Sequence, residues 1–227
     1  MPKKHKKQTK TKEYTIIILC IVFSVVLGIC TDDLLIGTPL LATSLISSYL
    51  AATYKRSCYT VGAICSLLIA YNAYVNNFFG SVIVNALIFA PIQLYGFFVW
   101  GHNLDSNKNV KTRKFSIKTS ILVITSCTIG SFVFGYLLTK IPTQQLAFLD
   151  STIACLDFSA LILQNMRYGE SWWLWSLSGV LSAVMWIIAF ISGGEGTLMR
   201  LITASCFIVI NAYGLFKWNY KNKTKKR

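Results

Sequence analysis

The sequence predicts an all-α polytopic membrane protein of about eight transmembrane helices. They form two parallel three-helix repeats joined by a linker helix, with an extra helix at the N-terminus. Three observations carry that expectation: a series of apolar runs of about twenty residues, basic residues gathered in alternate gaps, and two helix ends that read alike 118 residues apart.

The apolar runs are residues 14–30, 34–54, 59–74, 78–100, 117–138, 146–166, 172–192 and 197–216. A bilayer core of roughly 30 Å takes about 20 helical residues to cross. Only helices or closed barrels span lipid, and these runs lack the strict alternation of a barrel strand. The 227 residues are 54% hydrophobic and only 13% charged, against about 25% charged in soluble domains. The spans use most of the length, which leaves no room for a soluble catalytic domain. The first run is too long for the apolar part of a signal peptide and lacks a small-x-small cleavage site, so it is expected to remain as a helix. Residues 1–12 hold six lysines and little to bury, and are expected to be disordered.

The net charge of +14 could suggest nucleic acid, but the basic residues flank the spans and are absent from their interiors. Nucleic acid is therefore not an expected partner, and the charges read as topology signals. One side collects Lys3, Lys4, Lys6, Lys7, Lys10 and Lys12, then Lys55 and Arg56, then Lys108, Lys111, Arg113, Lys114 and Lys118. Arg167 and the C-terminal Lys217, Lys221, Lys223, Lys225, Lys226 and Arg227 join them. The other side keeps Lys140 and Arg200 with Asp32, Asp33, Asp150 and Glu195. Both termini are then expected in the cytoplasm and the helix count is even.

The matched ends are Gln93-Leu-Tyr95-Gly96-Phe-Phe98-Val-Trp100 and Asn211-Ala-Tyr213-Gly214-Leu-Phe216-Lys-Trp218. Both read amide-x-Tyr-Gly-x-Phe-x-Trp. A three-helix unit repeats in parallel only if an odd number of helices reverses the chain between copies, and the fifth run supplies one. Parallel repeats are a transporter architecture with the substrate site between the halves. The expected segments are a basic tail 1–13, the extra helix 14–31, repeat one 33–100, a cytoplasmic loop and linker helix 101–140, repeat two 145–218, and a basic tail 219–227.

Few residues can carry chemistry. The seven cysteines form no CxxC pair and fall mostly in apolar runs, where cysteine behaves as a small hydrophobe. Neither a metal site nor a cofactor is expected. His5 lies in the tail and His102 in a loop, so a buried histidine relay is not expected. Asp157 is the one acid well inside a span; it reads as a polar structural group, a substrate contact or an ion-coupling group. Asn85, Gln93 and Asn211 lie within or near the ends of spans. An amide donates and accepts, which suits a neutral ligand rich in heteroatoms, but polar side chains also glue membrane helices together. Gln93 and Asn211 gain weight from their matching positions. Trp172, Trp173 and Trp175 start the seventh run at the interfacial depth of aromatic belts. Trp172 and Trp175 also share one helix face, continued by Ser176 and Gly179, and two indoles there could sandwich a planar ring. Trp100 and Trp218 read as belt anchors.

The stretch 149–219 resembles the PnuC family of vitamin and nucleoside-like transporters. The residues that carry the resemblance are Leu149-Asp150, Arg167-Tyr168-Gly169-Glu170-Ser171-Trp172-Trp173-Leu174-Trp175, Trp186 and Tyr213-Gly214-x-x-x-Trp218; Tyr95-Gly96 and Trp100 extend it to the first half. The resemblance covers about 185 residues. It implies a fold of three helices, a linker and three helices, similar to SWEET sugar transporters. It also implies facilitated diffusion of nicotinamide riboside, a nucleoside-like small molecule, with a soluble ribosylnicotinamide kinase trapping it inside. A homotrimer is the assembly it suggests. Trp172, Trp175, Gln93, Asn211, Asn85 and Gly179 are the expected substrate-binding residues. One departure stands out: four residues after the second Trp of Trp-x-x-Trp the family commonly has Asn, and this chain has Gly179. Carriers of thiamine, riboflavin or deoxynucleosides share the fold. A sugar carrier is a further alternative. A membrane enzyme would need clustered acids or histidines, and none is evident beyond Arg167 and Glu170.

Overall fold

A computed structural model describes residues 2–105, 110–113, 115–194 and 196–224. Of the residues in the charge pattern, Lys108, Lys114, Glu195, Lys225, Lys226 and Arg227 lie outside these. The described chain folds into α1 (Pro2–Cys30), α2 (Gly37–Ala52), α3 (Cys58–Val75), α4 (Phe79–Gly101), α5 (Ile117–Leu138), α6 (Ala147–Asn165), α7 (Ser171–Ile191) and α8 (Thr197–Thr224). Each expected run is a helix. Seven are long and apolar enough to cross a membrane. The exception, α2, has 16 residues, about 24 Å at 1.5 Å per residue. The Asp33 carboxylate accepts a hydrogen bond from Gly37 N at 2.8 Å and fixes the start of α2. Its hydropathy is lowered by Ser44, Ser47 and Ser48, which the fold uses.

One expectation is corrected at the N-terminus. The segment read as disordered is helical from Pro2. Lysine is a good helix former, and each residue added to an existing helix gains a backbone hydrogen bond.

The repeat is visible in the turns. After α2, Tyr54 adopts a positive φ of 64°, and after α6, Arg167 adopts 69°. After α3, Asn77 has 58°, and after α7, Gly193 has 77°. Each turn closes with paired backbone bonds onto the last helical carbonyls: Lys55 N to Leu50 O, Tyr168 N to Leu163 O, Phe78 N to Ala73 O and Gly194 N to Ala189 O. This is the left-handed helix ending that favours glycine, and three of the four positions hold larger residues. Burial, and secondarily Arg113, lower the pKa of Arg167 at one such turn.

Helices α2, α3 and α4 pack together, as do α6, α7 and α8, and α2 packs on α8 to join the halves. Helix α1 leans on α2, and α5 packs chiefly on α6. Both peripheral helices expose large apolar side chains, among them Ile18, Val22, Ile29, Ile121, Ile124 and Phe132. A lipid environment accepts such surface, whereas water does not.

At the basic end, the segment after α4 crosses both halves. Val110 N donates to Tyr54 O at 3.3 Å, and Arg113 N donates to Arg167 O at 3.0 Å. The two carbonyls belong to equivalent left-handed turns. Beneath them lies an aromatic cluster of Tyr54, Tyr59, Trp100, Trp172 and Trp218, all buried. Trp100 and Trp218 are completely buried, so the reading of both as belt anchors is overturned. Trp218 stacks on Tyr54 at 4.6 Å, and Trp100 meets Tyr59 edge-on at 5.0 Å. The exposed tryptophan at this level is Trp173, at 62%.

Candidate functional site

A cavity of about 150 Å³ lies between the two halves, partly open to solvent. The first half lines it with Ser44, Ser47 and Ser48 from α2, Gly62 and Ser66 from α3, and Ser81, Asn85, Phe89 and Gln93 from α4. The second half contributes Asp157, Leu161 and Gln164 from α6, Trp172, Trp175, Ser178 and Gly179 from α7, and Arg200, Thr203, Phe207 and Asn211 from α8.

The α4 residues recur every fourth position. In a helix of 3.6 residues per turn each such step overshoots by about 40°, so three steps would carry Gln93 about a third of a turn off the cavity. Residues Val84–Phe89 instead form a π-helical turn, whose i→i+5 bonding holds more residues per turn. That takes up part of the drift, and all four side chains reach the cavity. The sequence signal was the four-residue spacing itself.

One end of the cavity is aromatic and amide-rich. The half-buried Trp175 donates from Nε1 to Gln164 Oε1 at 2.9 Å. Asn211 donates from Nδ2 to the Trp175 carbonyl at 2.8 Å, and its Oδ1 is buried without a partner. The Phe89 and Phe207 rings meet Trp175 edge-on, at 6.5 and 5.9 Å between centroids. These phenylalanines are 118 residues apart, the spacing of the repeat. Gln93 donates to Ser66 Oγ at 2.9 Å, and Asn85 donates to Ser81 O at 2.9 Å. An amide that accepts, a second with an unfilled acceptor and one indole whose edges are held by two rings can fix a flat, polar-edged ligand in one orientation.

The other end holds charge. Ser178 Oγ donates to Asp157 Oδ1. Arg200, 9% exposed, lies 4.7 Å from the Trp186 ring centroid. Among the described residues, the one ion pair within 4.0 Å is Lys55 with Glu13, so Asp157 and Arg200 border one cavity without pairing. The sequence reading kept basic residues out of helix interiors and put Arg200 on the far surface. The Trp186 ring instead covers the group inside the protein. Asp150, read as another surface acid, is completely buried in the first turn of α6. It accepts from Ser81 Oγ at 2.5 Å, Ser81 N at 3.1 Å and Gln144 Nε2 at 3.1 Å. A carboxylate at the start of α4 satisfies orphan amide donors and opposes the helix dipole.

All six expected site residues, Trp172, Trp175, Gln93, Asn211, Asn85 and Gly179, border this one cavity. The paired-indole arrangement is corrected. Trp172 is 2% exposed and packs at 6.3 Å from Trp218, against the Cα of Gly214. It borders the cavity from the aromatic cluster, and Trp175 sits among the phenylalanines. A Cβ at Gly179 would lie 3.4 Å from Asn211 Nδ2. Gln164 was missed in sequence, although an amide pair, Gln164-Asn165, at the end of an apolar run was a usable signal. Among the described residues no group of three or more potential metal ligands gathers.

The profile of the nicotinamide mononucleotide transporter family matches residues 34–220. The nicotinamide riboside transporter PnuC of Neisseria mucosa is 27% identical over 173 residues, covering 72% of this chain and 64% of that protein. The chain thus spans less than two thirds of that relative's length. The nicotinamide riboside transporter PnuC of Haemophilus influenzae is 26% identical over 167 residues, covering 72% of this chain and 70% of that protein. The crystal structure of the vitamin B3 transporter PnuC superposes with a TM-score of 0.80 at 23% identity, covering 92% of this chain and 90% of that one. The fold of two three-helix units and a linker, which the resemblance in the sequence implied, is thus the observed one, and the chain belongs to the nicotinamide mononucleotide transporter family of multi-pass membrane proteins.

Proposed function

We propose that this chain carries nicotinamide riboside across the cytoplasmic membrane by facilitated diffusion. The observation that carries the proposal is the seat around Trp175: an indole edged by Phe89 and Phe207, with Gln164 and Asn211 hydrogen-bonded to the same residue. Nicotinamide riboside is a flat cationic ring with a carboxamide and a ribose. The indole face suits the cationic ring, at about 2 kcal/mol when desolvated. The unfilled Asn211 Oδ1 suits the carboxamide N–H. The names of the two curated relatives agree with this cargo. Trp172, Gln93, Asn85 and Gly179 complete the binding surface.

The described cavity wall holds one carboxylate and one guanidinium, with no acid pair of the kind that couples ions. Transport is therefore uncoupled, and phosphorylation by a cytoplasmic ribosylnicotinamide kinase gives it direction. Both termini face the cytoplasm, because Lys55, Arg56, Lys111, Arg113, Arg167 and Lys217 flank helix ends on one side. A homotrimer is the proposed assembly.

Calorimetry with nicotinamide riboside, thiamine, riboflavin and deoxynucleosides tests the cargo, with nicotinamide riboside expected to bind most tightly. A preference for thiamine or riboflavin would favour the second reading, which Gly179 supports: the position lacks a side chain beside Asn211 and leaves room for a larger ligand. Uptake into sealed vesicles is expected to persist with an uncoupler. Accumulation of unmodified cargo that collapses with the proton gradient would make Asp157 a coupling group. Reporter fusions at each end test the orientation.

A further inference from the structure

Resting on that proposed cargo, we infer that Asp157 and Arg200 hold the adjacent ribose hydroxyls between them and so select ribosides over 2′-deoxyribosides. A carboxylate only accepts hydrogen bonds and a guanidinium only donates them. The two border the same cavity yet make no ion pair within 4.0 Å among the described residues. Arg200 Nε is buried without a partner. A group placed between them must donate toward Asp157 and accept from Arg200. Two hydroxyls on neighbouring carbons do both. A single hydroxyl flanked by CH2 also donates and accepts, but it offers one oxygen where the diol offers two, so the deoxy analogue makes fewer of these bonds in a desolvated site.

The position along the helix fits a nucleoside. Asp157 and Gln164 line the cavity from α6 seven residues apart, about 10 Å along the axis. Gln164 anchors Trp175, where the ring sits, and the attached sugar extends toward Asp157. Both charged groups are held before any ligand arrives. Ser178 donates to Asp157, and the Trp186 ring backs Arg200 at 4.7 Å. Preorganised partners of this kind give discrimination with little rearrangement. Asp157 and Arg200 are contact residues for the sugar, separate from the ring seat.

The test is calorimetry of the full chain with nicotinamide riboside and its 2′-deoxy analogue. The wild type is expected to prefer the riboside by tenfold or more, equivalent to 1.4 kcal/mol. Asp157→Asn and Arg200→Gln are each expected to lower that ratio below about threefold while changing affinity for the deoxy analogue little. A purely structural role would weaken both ligands together and keep the ratio. Should either variant fail to fold, Ser178→Ala loosens Asp157 without removing it, and the ratio is again expected to fall. A wild-type ratio near one overturns the diol site and leaves the cargo standing. Ratios unchanged in the folded variants overturn it too. Absence of nicotinamide riboside binding, with adenosine still preferred over 2′-deoxyadenosine, overturns the cargo and leaves the diol site. Binding of none of these ligands overturns both.

Discussion

At the end of α4, Gly96 lies against the Tyr59 ring, and Trp100 meets that ring edge-on at 5.0 Å. At the end of α8, Gly214 lies against Trp172, and Trp218 tilts over that ring at 6.3 Å. In each half an aromatic residue from the first turn of one helix settles on the glycine of the Tyr-Gly pair in the next. Above this shared footing the halves diverge. The first half gives the cavity serines and the amides Asn85 and Gln93. The second gives it two indoles, the amides Gln164 and Asn211, and both charges, Asp157 and Arg200. The comparison teaches that the two halves share their footing at the basic end and differ more along the ligand wall, where Phe89 with Phe207 and Gln93 with Asn211 stay matched. The π turn belongs to this divergence. The first half needs it to aim residues four apart at the cavity, whereas Arg200, Thr203, Phe207 and Asn211 follow an ordinary helical period.

The footing is the strongest place to break the comparison. Gly214→Ala drives a methyl group into the Trp172 ring atoms, and Gly96→Ala drives one into Asn165 Oδ1 and the Tyr59 ring. Each is expected to destabilise by about 1–3 kcal/mol, the usual range for overpacking, read as a fall in the thermal midpoint in detergent. A large loss in one half alone would show that the glycines are not equivalent.

The ligand wall is expected to split the halves. Trp175→Ala should weaken nicotinamide riboside binding tenfold or more, since it removes the stacking face and about 1.4 kcal/mol. Phe89→Ala and Phe207→Ala, which support the same indole from equivalent positions, should each cost less and cost alike. Unchanged affinity in Trp175→Ala, measured by calorimetry, would remove the ring seat from the proposal.

Smaller effects sharpen the pair of amides. Asn211 is fully buried and holds the Trp175 backbone, while Gln93 is half-buried and bonds Ser66. Asn211→Ala is expected to cost about 1–3 kcal/mol in binding and stability together and Gln93→Ala about 0.5–1.5 kcal/mol. Equal losses would argue for symmetric engagement of the cargo. Gly179→Asn is expected to be the mildest for folding, because its Cβ would meet neighbours no closer than 3.4 Å. If it also leaves nicotinamide riboside binding intact or improved, the ordinary cargo stands; a block would show that this space is occupied by a larger ligand.

The helices and the repeat were legible because both rest on signals that lipid enforces, namely span length and flanking charge. Gln93 and Asn211 were legible through a matching motif. Facing was not. In water a buried side separates from an exposed side by polarity, but lipid is as apolar as a core. Nothing in the apolar pattern therefore told Trp100 and Trp218, wholly buried, from Trp173, which faces outward. The same blindness hid Arg200, which sits three residues into α8 and looked like a flank. Asp150 was misread for the same reason at the start of α6. Both can be read only when the neighbouring helices are in place.

The segment that bridges Tyr54 O and Arg167 O acts as a mechanical stop. Val110 and Arg113 are three residues apart, so the chain between them extends to about 10 Å at most. While both backbone bonds persist, the two carbonyls cannot part by more than that length and the two bonds allow. Rocking that widens the cavity at the opposite face can pivot about this fixed edge. Widening at the basic face must first release one end of the strap.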